Sequence, residues 1–485
     1  MSCQPTPCSP VLCTIPFGAS QLFTQSLPVK TSRSGTCRPR PRGRLRGRSV
    51  SAVLAASLAI PATSFGQDQV ESARILPAYT SEEAGAYRFG ETVALTSIES
   101  TPYLLVSAAG VTFVGNDIKQ ASAHQFARID GGWAEGVKLL GLGEARTSPF
   151  MAVAADGSEM ILAYDSGPPQ SGQGRVLTMP ATTAPEIIID DIIGTPVSAS
   201  VRPGVVAVGL PTQGVGTVLI YRYESQISGW LADSVLGNAD DFGRSVVLDK
   251  TGTRLVVGAP KAGINGQVET YIFVQNSWVH YSTVQPPSSF ATQTDARFGT
   301  SVDIVDNWLA VGGPKADHHF GVGGPPPEDA GYVLLYEYGT FDYVFSQSIR
   351  GATEGDAFGT SVALATKKNG GYRLAVGAPG DDVSASNGDT EEGAAYSYSL
   401  NPGATSWSRD YRLVSSRSAE YEYSNLGVAV DTDGDLVVAG APYTPVDLGG
   451  GFRNEVGVVL AWDLGALFSD GFETGSLNAW SSSSP

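Results

Sequence analysis

Beyond Cys37 this chain of 485 residues has no cysteine at all. Thiol nucleophiles and disulfides are thereby excluded from everything downstream. Histidine is nearly as scarce, with only His124, His280, His318 and His319, and there is no Ser nucleophile elbow, Walker loop or His-Glu-x-x-His. Lys and Arg number 31 against 48 Asp and Glu, a net charge of −17. So acidic a surface disfavours nucleic acid and anionic membranes and favours cations or basic surfaces, with plain solubility as the simpler account. No 18-residue amphipathic helical pattern occurs after residue 66.

What basic charge there is sits at the start. Residues 38–48, "RPRPRGRLRGR", precede a 12-residue apolar stretch, "SVSAVLAASLAI", and then Pro61 and the small residues Ser64 and Gly66. This reads as a signal peptide, 1–66, with an unusually long basic n-region and a cut after Gly66. The apolar stretch is far short of the roughly 20 residues that span a bilayer, so no membrane span is expected. Cleavage would leave 419 residues with no cysteine, 23 Lys and Arg and 48 Asp and Glu, a net charge of −25. A secreted chain without disulfides must be held by burial, and this length supplies ample core.

One pattern then recurs. "AFGTSVALATKKNGGYRLAVGAPGDD" (357–382) is echoed by "DFGRSVVLDKTGTRLVVGAPKAG" from Asp241, "RFGTSVDIVDNWLAVGGPKAD" from Arg297 and "NLGVAVDTDGDLVVAGAPYTP" from Asn425. Weaker copies lie at Arg88 and Ile193, and a seventh, from Pro149, keeps only two apolar runs and an Asp-Gly turn. Starts fall near 89, 147, 193, 242, 298, 358 and 426. Within each copy the period is two, the runs are short, and Gly, Asp or Asn turns divide them, which predicts hairpins. After Gly-Ala-Pro come a variable loop, Gly-x-Val-x-x-Tyr as in "GQVETYIF" (266–273), and a fourth run such as "SWVHYSTV" (277–284). Seven units of four strands and about 60 residues predict an all-β fold, a seven-bladed β-propeller of four-stranded antiparallel blades over 67–465.

The signature residues have packing reasons. Pro ends the second strand where its missing N–H costs no ladder bond. Gly after Phe lets backbones pass closely, and Phe wedges between blades. The last unit stops at Gly465 with three strands, whereas "SARILPAYTSEEAGAYRFG" (72–90) reads like the fourth strand and connector of another unit. The segment around Ile75 and Leu76 is therefore expected to complete the last blade and close the ring, removing an open edge.

The pattern Phe-Gly, two strands, Gly-Ala-Pro and Gly-x-Val-x-x-Tyr resembles the FG-GAP repeats of the integrin α-subunit head, a seven-bladed propeller, and more closely those of secreted bacterial FG-GAP proteins. The likeness covers about 71–463. It implies a secreted or periplasmic protein in cell-surface adhesion or interaction. The final "LFSDGFETGSLNAWSSSSP" (467–485) resembles a short tail that ends many secreted proteins of Gram-negative bacteria, and its Ser run predicts a mobile end. Calcium-binding integrin repeats carry Asp-x-Asp-x-Asp-Gly-x-x-Asp between the first two strands. Here the matching turns are shorter, and only "DTDGD" offers three carboxylates, Asp431, Asp433 and Asp435. Ca²⁺ needs six to eight oxygens, so an Asx hairpin turn is the favoured reading and Ca²⁺ the weaker one; no cofactor is expected.

Function is sought on the loops. The connections between second and third strands and those between blades leave one face, and the long ones are 315–331, 380–393 and 443–455, with connectors 351–357 and 415–425, all in the last three blades. Long loops on a rigid frame are where binding usually lives. The candidate ligand-binding residues are Asp317, His318, His319, Asp381, Asp382, Tyr421, Tyr423, Tyr443, Phe452 and Arg453. Asp317, His318 and His319 form a conceivable Zn²⁺ or Cu²⁺ trio, with a solvated loop favoured over it. His280 reads as a plain strand residue. Two classes of function remain. One is a non-catalytic monomeric scaffold binding a protein or glycan at the cell surface; the other is a polysaccharide hydrolase or lyase with acids gathered near the axis. The scarcity of His and of catalytic motifs favours the first, so no enzyme activity is expected.

Overall fold

Seven antiparallel sheets follow one another along the chain, each built mainly from consecutive strands. The computed structural model describes residues 67–465 except 78–82, 85–87, 115–116, 144–150, 166–172, 180–184, 212–214, 238, 291–294, 318–327, 340–341, 384–390, 417–422, 448–451 and 454. The expected signal peptide and tail, 1–66 and 466–485, lie outside the described residues. The innermost strands begin at Phe89, Met151, Ser198, Ser245, Ser301, Ser361 and Ala429, each within five residues of the expected starts. Among the described residues the only helical element is one 3₁₀ turn, Ser288–Phe290. The fold is the seven-bladed β-propeller that the repeat predicts.

Blade 5 shows why such sequences become blades. Ser301–Val305 alternates, turns at Asp306-Asn307 and returns as Trp308–Gly313, whose six residues are all buried. A second strand buried on both faces needs a continuous apolar run, which "WLAVGG" supplies. Pro314 follows the last ladder residue; Pro260, Pro379 and Pro442 do the same in blades 4, 6 and 7.

The repeated Phe wedges form the contacts between blades. Phe89, Phe242, Phe298 and Phe358 are fully buried in clusters that mix residues of neighbouring blades. Phe358 meets Tyr396 edge-on at 5.3 Å, Phe298 meets Tyr336 at 6.1 Å, and Phe242 meets Tyr271 at 6.2 Å. The Gly of Gly-x-Val pairs in parallel with the next blade's Phe or Leu: Gly216 with Phe242, Gly266 with Phe298, Gly331 with Phe358, Gly393 with Leu426 and Gly457 with Phe89. A serine adds a bond across the same seams: Ser245 Oγ donates to Gly299 O at 3.0 Å, and Ser301 Oγ to Gly359 O at 2.8 Å. Gly377 is glycine by necessity, because a Cβ there would stand inside contact distance of the Gly427 carbonyl.

The ring closes as the missing fourth strand of blade 7 requires. Ala73–Ile75 pairs antiparallel with Val458–Asp463, Ile75 opposite Val459, and Ile75 is buried against Phe89 and Val438. The sequence did not reveal a further strand: Gln67–Val70 pairs parallel with Ser408–Val414, the outer edge of blade 6. Trp462 Nε1 donates to Gln69 O at 3.1 Å, so one short segment ties blades 6 and 7 together. No helix among the described residues is long and apolar enough to cross a membrane.

Candidate functional site

The two faces of the ring differ. On one, the turns within hairpins are tight, as at 203–204 and 306–307. On the other, the connections 314–331, 379–393 and 442–457 of blades 5, 6 and 7 stand beside a blade 1 hairpin whose strands, Thr101–Val114 and Asp117–Ile129, are far longer than their counterparts. The loop face is thus lopsided towards blades 5–7 and 1.

Asp317, Asp381, Asp382 and Tyr443 are engaged each within its own neighbourhood. Asp317 Oδ1 accepts the Asp329 N–H at 2.9 Å, closing its own loop, while His318 and His319 lie outside the described residues. Asp381 is 4% exposed; it accepts bonds from the Tyr396 hydroxyl and from Nε (3.2 Å) and Nη2 of Arg412. That bonded carboxylate and burial push the Tyr396 hydroxyl far above the usual tyrosine range, burial being the larger cause. Asp382 accepts the Glu391 N–H at 2.9 Å, and its carbonyl accepts Arg412 Nη2 at 3.0 Å. The acidic pair therefore anchors the blade 6 loop to the outermost strand.

In blade 7 the loop carries a small ladder of Val446–Asp447 with Phe452–Arg453. The Arg88 guanidinium stands 5.2 Å from the Tyr443 ring, and Arg88 Nε pairs with Glu455 at 3.3 Å, which joins this loop to the entry of blade 1. Tyr421 lies outside the described residues. Tyr423 is 56% exposed at φ 61°, standing on the connector towards blade 7.

The turn 431–435 sends its three carboxylates apart. Asp433 Oδ1 accepts the N–H groups of Asp435 (3.0 Å) and Leu436 (2.8 Å), an Asx turn. Asp435 pairs with Lys368 at 3.4 Å. Asp431 turns to the next blade, where its Oδ2 accepts the Leu95 N–H at 2.6 Å. Asp303 makes the same bond from blade 5 to Leu364 of blade 6, and Ser200 from blade 3 to Leu248 of blade 4. Protein atoms surround both carboxyls, although each residue as a whole is only half-buried. Burial pushes Asp303 up to about 6 and Asp431 up to about 7, each against the lowering effect of its backbone donors; Asp303 and Asp433 further raise Asp431. Among the described residues, no three His, Cys, Asp or Glu side chains stand together as a metal site.

One constellation escaped the sequence reading. Ser122 Oγ lies 2.8 Å from His124 Nε2, and His124 Nδ1 lies 2.6 Å from Glu135 Oε1. This is the bonding order of a hydrolytic triad. Alternation puts Ser122 and His124 on one face of one strand, which a reader of the sequence can see; Glu135 joins them only through hairpin register. Ser122 is 1% and His124 0% exposed, with Phe89 edge-on to the imidazole at 5.3 Å. A serine so enclosed meets no substrate carbonyl, and the arrangement is a buried polar network satisfying its own members.

No family model matches the chain, and no curated protein matches it either. Among solved structures it is similar to a chain of the crystal structure of the mitotic checkpoint complex, with 11% identity over 86% of this chain and 99% of that one, at a TM-score of 0.47. So loose a likeness carries no argument about function.

Proposed function

We propose that the chain is a secreted bacterial FG-GAP propeller that acts, without catalysis or cofactor, as a monomeric scaffold binding a protein or glycan at the cell surface. The observation that carries this reading is the distribution of its loops. Blades 5–7 keep the signature seams intact while placing connections 314–331, 379–393 and 442–457 on one face. A rigid frame with variable loops on one side is suited to broad recognition rather than to converging catalytic groups. The enclosure of Ser122 and His124 supports a non-catalytic role for that serine.

The test is a variant in which 314–331 and 379–393 are cut to the length of the blade 4 connection, 260–266, screened beside the parent protein against arrayed glycans and purified surface proteins. The expected result is selective binding by the parent, lost in the variant at an unchanged melting midpoint. Release of new reducing ends from a polysaccharide by the parent, or undiminished binding by the trimmed variant, overturns the proposal.

A further inference from the structure

Among the described residues, two clefts on the turn face, opposite the long connections, stand out. One, of about 630 Å³ between blades 5 and 6, is lined by Asn307, Glu337, Lys367, Tyr372 and Asn401 among others. It already holds a cation of its own, since Lys367 Nζ donates to Asn401 Oδ1 at 2.8 Å and to Ser399 Oγ at 3.3 Å. The other, of about 360 Å³, opens between blades 2 and 3, where no Gly-Phe bridge closes the seam among the described residues. Its volume is at the small end of ligand sites, which run from roughly 300 to 1,000 Å³.

Aromatic and apolar walls surround one acid in this second cleft. Tyr223 and Trp230 line it with ring centroids 5.8 Å apart and planes at 68°, beside Met160, Ile161 and Ile188. Tyr223 is 47% exposed, so its ring is open to a partner. Glu159 also lines the cleft, and among the described residues no Lys or Arg pairs with it. Arg202, beside the neighbouring Asp156 at 3.9 Å, is committed elsewhere: it donates to Asp249 O at 3.1 Å and to Val201 O at 2.7 Å. Desolvation and then the charge of Asp156 push the Glu159 carboxyl up, against the Gly204 N–H. A cation entering here would favour the ionised carboxylate and offset the repulsion from Asp156.

We propose that this cleft binds a methylated ammonium group, with Tyr223 and Trp230 as two walls of an aromatic box and Glu159 as the counter-charge. Two rings with planes at 68° give the cleft an aromatic wall suited to a bulky, weakly hydrated cation, and a neighbouring carboxylate supplies the charge that an apolar slot lacks. A bare ammonium or a metal ion would lose too much hydration to the apolar walls. The net charge of −17 adds long-range attraction for the same sign of ligand.

The test titrates choline and its uncharged isostere, 3,3-dimethylbutan-1-ol, into residues 67–485, following the indole N–H resonances by NMR. The expected result is saturable choline binding at the Trp230 indole, with the isostere at least tenfold weaker. Glu159→Gln and Tyr223→Leu should each weaken choline about tenfold at an unchanged melting midpoint. Equal binding of the two probes, or no response at tens of millimolar choline, overturns the proposal; both readings use the parent protein and hold whatever the variants' stability. Two further arms separate the sources of the group. Phosphocholine binding as tightly as choline points to a headgroup, whereas Nε-trimethyllysine amide binding well above phosphocholine points to a methylated lysine side chain.

Discussion

Blade 2 and its two seams differ from the rest of the ring. From blade 3 round to blade 1, five seams share one device, a Gly bridged in parallel to the next blade's Phe or Leu. Beside blade 2 that device is absent among the described residues, and side chains do the packing. Met151, Met160 and Met179 are all buried in the cluster between blades 1 and 2, and Gln125 Nε2 reaches across to Met179 O at 3.0 Å. Methionine is unbranched and adapts to irregular gaps, so it suits a seam packed by side chains. The blade itself persists, its four strands still paired in order. Phe-Gly and Gly-Ala-Pro therefore serve the contacts between blades more than the blades themselves, since blade 2 keeps its four paired strands without them.

The comparison breaks most severely at the closure. A chain starting at Pro77 loses the fourth strand of blade 7 and the strand on blade 6, and is expected to lose its single cooperative urea transition and to aggregate through the exposed edge of Val458–Asp463. A single transition at the parental midpoint would show that the ring closes without this segment.

Next in size, Gly377→Ala drives a methyl group into the Gly427 carbonyl and is expected to cost about 3 kcal/mol or more. Met160→Leu, in the adaptable seam, should cost less than about 1.5 kcal/mol. Chemical denaturation of both variants measures the contrast directly, and equal losses would erase it.

The carboxylates between blades predict a pH dependence. The folded chain holds the protons of Asp303 and Asp431 more tightly than an unfolded chain, whose aspartates titrate near the ordinary value. Their stabilising contribution is complete below that ordinary value and is lost as pH rises through about 6 and about 7. Asp431→Asn removes the charge and keeps one oxygen for the Leu95 N–H but gives up the bond from the Thr432 N–H, so its stability relative to the parent should rise by roughly 2 kcal/mol between pH 4 and pH 8. Melting midpoints across that range decide it; an equal effect at both ends would point to packing instead.

The smallest effect concerns the serine that crosses the signature seams. Ser301→Ala loses the bond to the Gly359 carbonyl and should cost about 1 kcal/mol, read as a small shift of the urea midpoint at unchanged slope.

Much of this architecture is local. Strand alternation, the Asp-Gly and Asn-Gly turns, and Pro after the second strand of blades 3 to 7 act over a few residues, so the seven blades and the fourth strand at Ile75 could be read from the order of residues alone. The Asx turn at Asp433 was legible for the same reason. What only the tertiary structure decided are meetings between residues far apart in the chain. Asp431 finds Leu95 across the closed ring, Glu135 completes the chain to His124 and Ser122 through hairpin register, and Asp381 is taken by Arg412 and Tyr396 rather than left open on its loop. The cleft of Glu159, Tyr223 and Trp230 belongs to two blades at once. A linear pattern records which residues share a turn or a strand face; which side chains share a cavity depends on how neighbouring blades pack, and that is set by the ring as a whole.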